Sequence, residues 1–257
     1  MGPMTRSAEI HANYVHALSR IGGLGPLGES EQVGPFHCIN AGIGVSRFNV
    51  AVPVEQVPDA HGAVRDVISW FGERGLNVRF DFRGKQDSAL IAAATVEKFQ
   101  FWWREPVMLL DPLPPTMEIP AELELIEVVG PEDRDLYCQV DAEEYSDQAF
   151  QLSMLSVAAQ MPGVTMHLGT VAGEPVARSM AIRTGDLVGI HNVYVAPSHR
   201  KRGYGAAITA VAMEAGRQTG ATAACLQSTE AAFSMYRTMG FEHIDDYIVM
   251  GIDEPRL

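Results

Sequence analysis

No apolar run in this sequence approaches the roughly 20 residues that a membrane-crossing helix needs, so none is expected. The first twenty residues carry Glu9, His11 and His16 where a signal peptide would need an unbroken apolar stretch. The expectation is a soluble, cytoplasmic protein with no membrane partner. Cysteine is also scarce. Cys38, Cys138 and Cys225 are far apart and odd in number, which excludes a disulfide framework and a zinc site built on C-x-x-C pairs. Each is expected to act as a small buried hydrophobe. Positive charge is the third shortage: 19 Lys and Arg stand against 32 Asp and Glu, for a net charge of −13. Grip on a phosphate backbone needs Lys and Arg, so nucleic acid is not expected as a partner, whereas an acidic field favours a cationic substrate such as an amine. The eight histidines show no H-E-x-x-H or other ligand spacing, and no metal is implied.

The 257 residues allow two units at a prior of about 150 residues per domain. Prolines 112, 114, 115 and 120 remove backbone donors and fix φ, so neither helix nor central strand runs through them. This divides the chain into an N-terminal unit (1–111), a Pro-rich linker (112–121) and a C-terminal domain (122–257). After the linker, 123–129 reads as a strand, Pro131 opens a helix with acids in its first turn, and 147–160 reads as a second helix. Strands at 165–171, 175–183 and 187–195 follow, separated by Gly-acid turns. A helix over 204–219 has Ile208, Val211, Ala212 and Ala215 on one face. A strand (222–227), a helix (229–239) and a strand (247–252) close the chain. This order gives a mixed, mostly antiparallel α/β sheet flanked by helices, in two tandem units. The second unit has a faint echo in the first. Lys98 to Asp111 lies without a gap on Gly240 to Asp253, each with an entering Phe and a Val-Met pair before a closing Asp. A divergent duplication accounts for this.

The sharpest motif is Arg200-Lys201-Arg202-Gly203-Tyr204-Gly205-Ala206, between a strand and a helix. The first amides of a helix lack intrahelical partners and sit at its positive end, so an anion is held there. Glycines allow close backbone approach, and three adjacent cations in an acidic chain call for an anionic ligand. A solvated basic turn that merely caps a helix is the alternative for the loop alone. The second block, Ala232, Tyr236, Gly240 and Phe241, follows at a fixed distance.

With Val195-Ala196-Pro197 ahead of the loop, these blocks resemble the Gcn5-related N-acetyltransferase (GNAT) superfamily over roughly residues 123–253. The resemblance implies an acyl-CoA N-acyltransferase fold and transfer of an acyl group from acetyl-CoA, or another acyl-CoA, to an amine by direct attack on the thioester. The pyrophosphate is implied to rest on the amides of Arg202 to Ala206, beside Arg200 and Lys201. The pantetheine is implied to pair with the Val193-Tyr194-Val195 edge, near Thr229 and Ala232. The resemblance further implies that an amide near Val193 steadies the oxyanion and that Tyr236 donates a proton to the leaving thiolate, the alternative for Tyr236 being a buried helix aromatic with its hydroxyl satisfied. Thr229 departs from the asparagine of many members but can still donate a hydrogen bond. The N-terminal unit lacks such a loop: residues 53–62 are acidic and broken by Pro58. It is read as a degenerate copy that has lost the cofactor and packs against the active half or shapes the acceptor cleft.

The base is less sharply marked. Period-two alternation places His191 on one face with Val193 and Val195, at a position resembling a catalytic histidine of arylalkylamine acetyltransferases. A histidine satisfied on a sheet face explains it equally. Glu143 and Glu144 could bind a cationic acceptor or form a solvated pair. The acceptor is an amine on a small molecule or a protein, and a homodimer stays open. A non-catalytic acyl-CoA sensor or scaffold, and a partner protein using the fold only for association, are the rival readings. Gly23 to Gly28 matches G-x-G-x-x-G, but it follows a helix-like segment and Pro26 bars a following helix. Trp70, Trp102 and Trp103 show no basic surface beside them and read as core or interface aromatics.

Overall fold

The computed structural model describes residues 6–22, 28–42, 44–115, 118–140, 158 and 160–252. Along them run α1 (Arg6–Gly22), β1 (Glu29–Val33), β2 (Phe36–Asn40), β3 (Val50–Pro53), α2 (Ala60–Gly72), β4 (Arg79–Arg83), α3 (Ser88–Val96) and β5 (Gln100–Leu110). They are followed by β6 (Glu124–Glu127), α4 (Pro131–Gln139), β7 (Val164–Val171), β8 (Glu174–Thr184), β9 (Leu187–Val195), α5 (Tyr204–Gln218), β10 (Ala223–Gln227), α6 (Glu230–Thr238) and β11 (Glu242–Gly251). The expected second helix at 147–160 and the Gly23–Gly28 loop fall largely outside the described residues.

The chain forms two compact units, Met1–Tyr14 with Met108–His243, and Val15–Val107 with Ile244–Leu257. The divisions fall inside α1, β5 and β11. In the first unit the strands lie in the order β10-β9-β8-β7-β6, antiparallel except for the parallel β9/β10 pair. Helix α5 covers one face with Ala207, Ile208, Ala212 and Met213 buried. Val211 and Ala215, expected on that face, are only half-buried. The contact stripe instead runs through Gly216, which lies against Val188. The other face carries Met166, Leu168 and Met180, with Tyr137 of α4 and Asn13 of α1 fully buried.

In the second unit the order is β1-β2-β3-β4-β11-β5, again with one parallel pair, β3/β4. Alternation in β4 explains its two faces. Phe80 and Phe82 enter a core with Phe36, Val64, Val67, Phe71 and Phe99, where the Phe80 ring meets Phe99 edge-on at 4.9 Å. Arg79 and Asp81 point the other way and pair through two bonds of 2.9 and 2.8 Å, with Asp81 wholly buried.

Both halves follow the order β-β-β-α-β-α-β, preceded in the second by β6 and α4. The gap-free match of their ends extends to the backbone. Lys98 and Gly240, the aligned pair, both take left-handed φ angles of 71° and 97°, and β5 and β11 each begin two residues later. All three cysteines are free and buried, as their spacing implied.

Removing one member of a buried ion pair leaves an uncompensated charge. Asp81→Ala is therefore expected to lower the unfolding free energy by about 3–5 kcal/mol, measured by denaturant titration. A loss below 1 kcal/mol would show that Arg79 finds another anion.

Candidate functional site: a forked sheet facing a helix N-terminus

The site is made where two strands part. β9 and β10 pair in parallel from Leu187↔Ala223 to Ile190↔Leu226 and no further. From His191 to Val195, β9 keeps β8 on one side and, among the described residues, has no strand on the other. The divergence coincides with a bulge. Met180 faces His191 and Arg178 faces Tyr194, so two residues of β9 oppose Ser179 alone, and Asn192 takes φ 54°. An extra residue bends its strand and sharpens its twist, leaving the inner edge of β9 without a neighbouring strand among the described residues.

The bulge also corrects the expected facing of His191. Directly paired residues share a face, so His191 and Tyr194 lie with Met180 and Arg178. Val193 and Val195 instead pack in the clusters beneath α5. Strict alternation fails because the strand holds one residue more than its partner.

At the mouth of the fork the chain turns through Pro197–His199 into the loop. Lys201 and Gly203 both adopt left-handed φ, 63° and 84°, a conformation that favours glycine. The first backbone bond of α5 runs from the Ala207 amide to Gly203 O at 3.0 Å. The amides of Tyr204, Gly205 and Ala206 thus precede the helical ladder. Arg200, Lys201 and Arg202 are exposed around them. Arg200 is steadied by its bond to Val195 O at 3.0 Å and lies over the Tyr194 ring at 5.4 Å. Tyr204 offers only its backbone, because its ring is in the core and its hydroxyl donates to Glu122 at 3.1 Å. Gly205 serves packing: a Cβ there would meet Met235 Sδ at 3.0 Å.

Across the fork, Thr229 caps α6, its Oγ1 accepting from the Ala232 amide at 3.3 Å. Its hydroxyl proton stays available for a ligand. Ala232 packs on the core beside Tyr236. Tyr236 is buried against Phe241, with its hydroxyl in hydrogen-bonding reach of Thr209. Burial pushes the phenol up to about 12, so it is protonated at neutral pH and able to donate.

On the opposite face the structure assembles residues that sequence reasoning missed. Arg178 is buried. It donates to Tyr137 O at 3.2 Å and to Asn192 Oδ1 at 3.0 Å, with its guanidinium 5.0 Å from the Tyr137 ring. Asn192 donates in turn to the Tyr137 hydroxyl at 3.2 Å. An arginine inside the apolar run Val176 to Ile182 was the available signal, since a buried charge must be paired. His191 lies nearby with a buried Nε2 that has no hydrogen-bond partner, as has Gln227 Nε2 at the tip of β10. Burial pushes the His191 imidazole down to about 4, and that of His167 on β7 likewise. Glu143 and Glu144 lie outside the described residues.

The corresponding place in the other unit, where β3 leads to α2, has the opposite character. Asp59 caps α2 by accepting from the Gly62 amide at 3.0 Å, and Glu55, Asp59 and Asp66 line the cleft there. A carboxylate already fills the position at which an anion would bind. Among the described residues no cluster of His, Cys, Asp or Glu could hold a metal, and no helix is long and apolar enough to cross a membrane.

The structure resembles a GCN5-related N-acetyltransferase from Kribbella flavida at TM-score 0.77 and 20% identity, covering 99% of this chain and 98% of that one. It resembles a tandem GNAT protein from the clavulanic acid biosynthesis pathway at TM-score 0.64 and 12% identity, covering 98% and 97%. A GCN5-related N-acetyltransferase from Sphaerobacter thermophilus matches at TM-score 0.65 and 16% identity, over 88% and 83%. At these identities the likeness is one of fold. No curated protein matches the sequence. The chain belongs to the family described as "Probable histone acetyltransferase Rv0428c C-terminal", whose model matches residues 36–247, and so to the GNAT superfamily.

Both buried histidines have folded-state values below the ordinary 6.5. The neutral ring is the form the fold accepts, so their contribution is complete above about pH 6.5 and is lost as pH falls toward 4. Denaturation midpoints are expected to drop between pH 7 and 4.5, and to drop less in His191→Leu. An equal drop in that variant would mean that His191 titrates as in the unfolded chain.

Proposed function

We propose that the unit holding the fork transfers an acyl group, acetyl foremost, from acyl-CoA to an amine by direct attack on the thioester. One observation carries this reading. The unpaired edge of β9 ends at three uncapped helical amides ringed by Arg200, Lys201 and Arg202, in a chain of net charge −13. A strand edge accepts an extended, amide-bearing chain, and a helix N-terminus accepts a phosphate. Pantetheine pyrophosphate has both parts in that order. The residues present fit it: Gly203 supplies the turn, the amides from Arg202 to Ala206 face the anion, Val193 to Val195 supply the edge, and the Thr229 hydroxyl faces the pantetheine from across the fork.

The chemistry then divides between the two faces of the sheet. The thioester carbonyl sits at the bulge, where a β9 amide near Val193 donates to the developing oxyanion. The neutral amine nitrogen bonds to the carbonyl carbon, the carbon–sulfur bond breaks, the thiolate takes the proton of Tyr236, and the proton shed by the nitrogen returns through solvent to the phenolate. A phenol held neutral up to about 12 is suited to donate and poorly suited to accept. His191, held at about 4, is neutral throughout the physiological range. It can accept a hydrogen bond from the attacking amine but does not compete for the proton of a free ammonium. The acceptor is an amine on a small molecule or a protein, approaching from the Arg178–Tyr137–Asn192 face and drawn by the acidic field of the chain.

Calorimetry with acetyl-CoA tests the loop. Wild type is expected to bind in the micromolar range, and folded Gly203→Glu to lose binding, because the new carboxylate meets the phosphate and a side chain must adopt left-handed φ. Absence of binding by folded wild type would sink the reading. Binding without thiol release across a panel of amines would leave a non-catalytic acyl-CoA sensor. Where turnover is found, Tyr236→Phe is expected to lower kcat by about 10²- to 10⁴-fold with little change in the KM for acetyl-CoA. An unchanged kcat would remove the phenol from the mechanism.

A further inference from the structure

Asn13 stands 178 positions before His191 in the chain, yet the fold brings the two side chains to one spot. A Cβ built on Gly189 would overlap both Asn13 Oδ1 and His191 Nε2, each closer to it than 3.0 Å. The two atoms therefore sit side by side over the same glycine, on the face opposite α5. Asn13 is wholly buried, and its orientation is fixed. Nδ2 donates to Ile182 O and to Thr184 Oγ1, both at 2.9 Å, while the Cys225 thiol approaches Oδ1 at 3.8 Å. Flipping the amide would set its oxygen against the Ile182 carbonyl, so Oδ1 is the atom turned to Gly189 and His191.

A fixed oxygen beside a buried imidazole nitrogen chooses the tautomer. His191 Nε2 is buried without a hydrogen-bond partner, although the residue keeps part of its surface open. With a lone pair on Nε2, two acceptors would face each other in a site that burial has made low in dielectric, and the repulsion is strong there. With a proton on Nε2, the same neighbour is attractive and a small χ change completes a bond to Oδ1. The position of one ring proton is set by what the other nitrogen meets. Protonating both nitrogens is the form that burial resists.

We infer that Asn13, from the N-terminal helix, is a positioning residue for His191, holding the imidazole as the Nε2–H tautomer with its Nδ1 lone pair available to an acceptor amine. The functional half of this inference rests on the acyl-transfer reading above; the tautomer half does not. It makes the first turns of α1, drawn into the same compact unit as the fork, part of the site's machinery. Gly189 becomes its third member, because any side chain there would displace both partners.

The test uses the full-length protein labelled with ¹⁵N in its histidines. His191→Gln assigns the His191 ring signals, and spectra at pH 7 then report which nitrogen carries the proton. The expected result is an Nε2–H ring in wild type, and in Asn13→Leu a mixture or a shift to Nδ1–H. Should Asn13→Leu fail to fold, wild type alone decides: an Nδ1–H ring overturns the inference. An unchanged Nε2–H ring in a folded Asn13→Leu overturns it as well. Turnover gives the second readout. Asn13→Leu is expected to lower kcat by about tenfold or more, the scale seen when a histidine loses its orienting partner, with the KM for acetyl-CoA unmoved. A kcat equal to wild type would overturn the positioning role. If wild type shows no turnover at all, the acyl-transfer reading fails by itself, and the tautomer result still stands or falls on the spectra.

Discussion

The candidate site of this chain depends on the parting of β9 from β10 after Ile190 and Leu226. Up to that pair the strands satisfy each other's backbone groups. Beyond it, the bulge at Asn192 turns β9 away and leaves its inner edge open. Such an edge is a liability in most sheets, because unpaired amides recruit other strands. Here helix α5 begins beside the opening, so the exposed edge and the exposed helix amides form one polar path on an otherwise apolar core. Tyr236 and Phe241 fill the space behind the fork, and Arg178, Tyr137 and Asn192 brace its other face. A strand pairing continued by two residues would cover that edge.

Desolvation sorts the titratable groups into roles. Burial penalises whichever form is charged, raising the Tyr236 phenol and lowering the His191 and His167 imidazoles. Tyr236 and His191 thereby face the fork as neutral groups, while positive charge stands in the exposed loop of Arg200, Lys201 and Arg202 and in the buried Arg178 of the other face. The arrangement suits a ligand whose anionic end lies at the surface and whose reacting end lies in a dry interior.

The two halves show how little separates the proposed phosphate site from its opposite. Each has a parallel strand pair and a helix starting after the first strand of that pair. In the second half the helix starts at Gly203, which has no side chain to offer, and its first amides carry no side-chain cap. In the first, Asp59 fills the same helical position from within and sits among other carboxylates. Side chains at the helix start, more than the backbone architecture, distinguish the two places.

Sequence by itself determined the element order of the second half outside 147–160, the loop, the second block with Tyr236, and the acidic, broken counterpart in the first half. These are local matters: glycine and proline set backbone angles, and apolar periodicity sets faces. It also revealed the repeat through the matched ends at Lys98 and Gly240. Tertiary structure alone decided the facing of His191, because a bulge is a count of residues on two strands, and alternation read along one strand cannot register the extra residue. It decided that Gly205 answers to Met235 and Tyr204 to Glu122. It gathered Arg178, Asn192 and Tyr137 into one network and set Asn13 above Gly189. Those groupings join residues up to 176 positions apart, and no spacing along a chain encodes a contact made only when the sheet has closed.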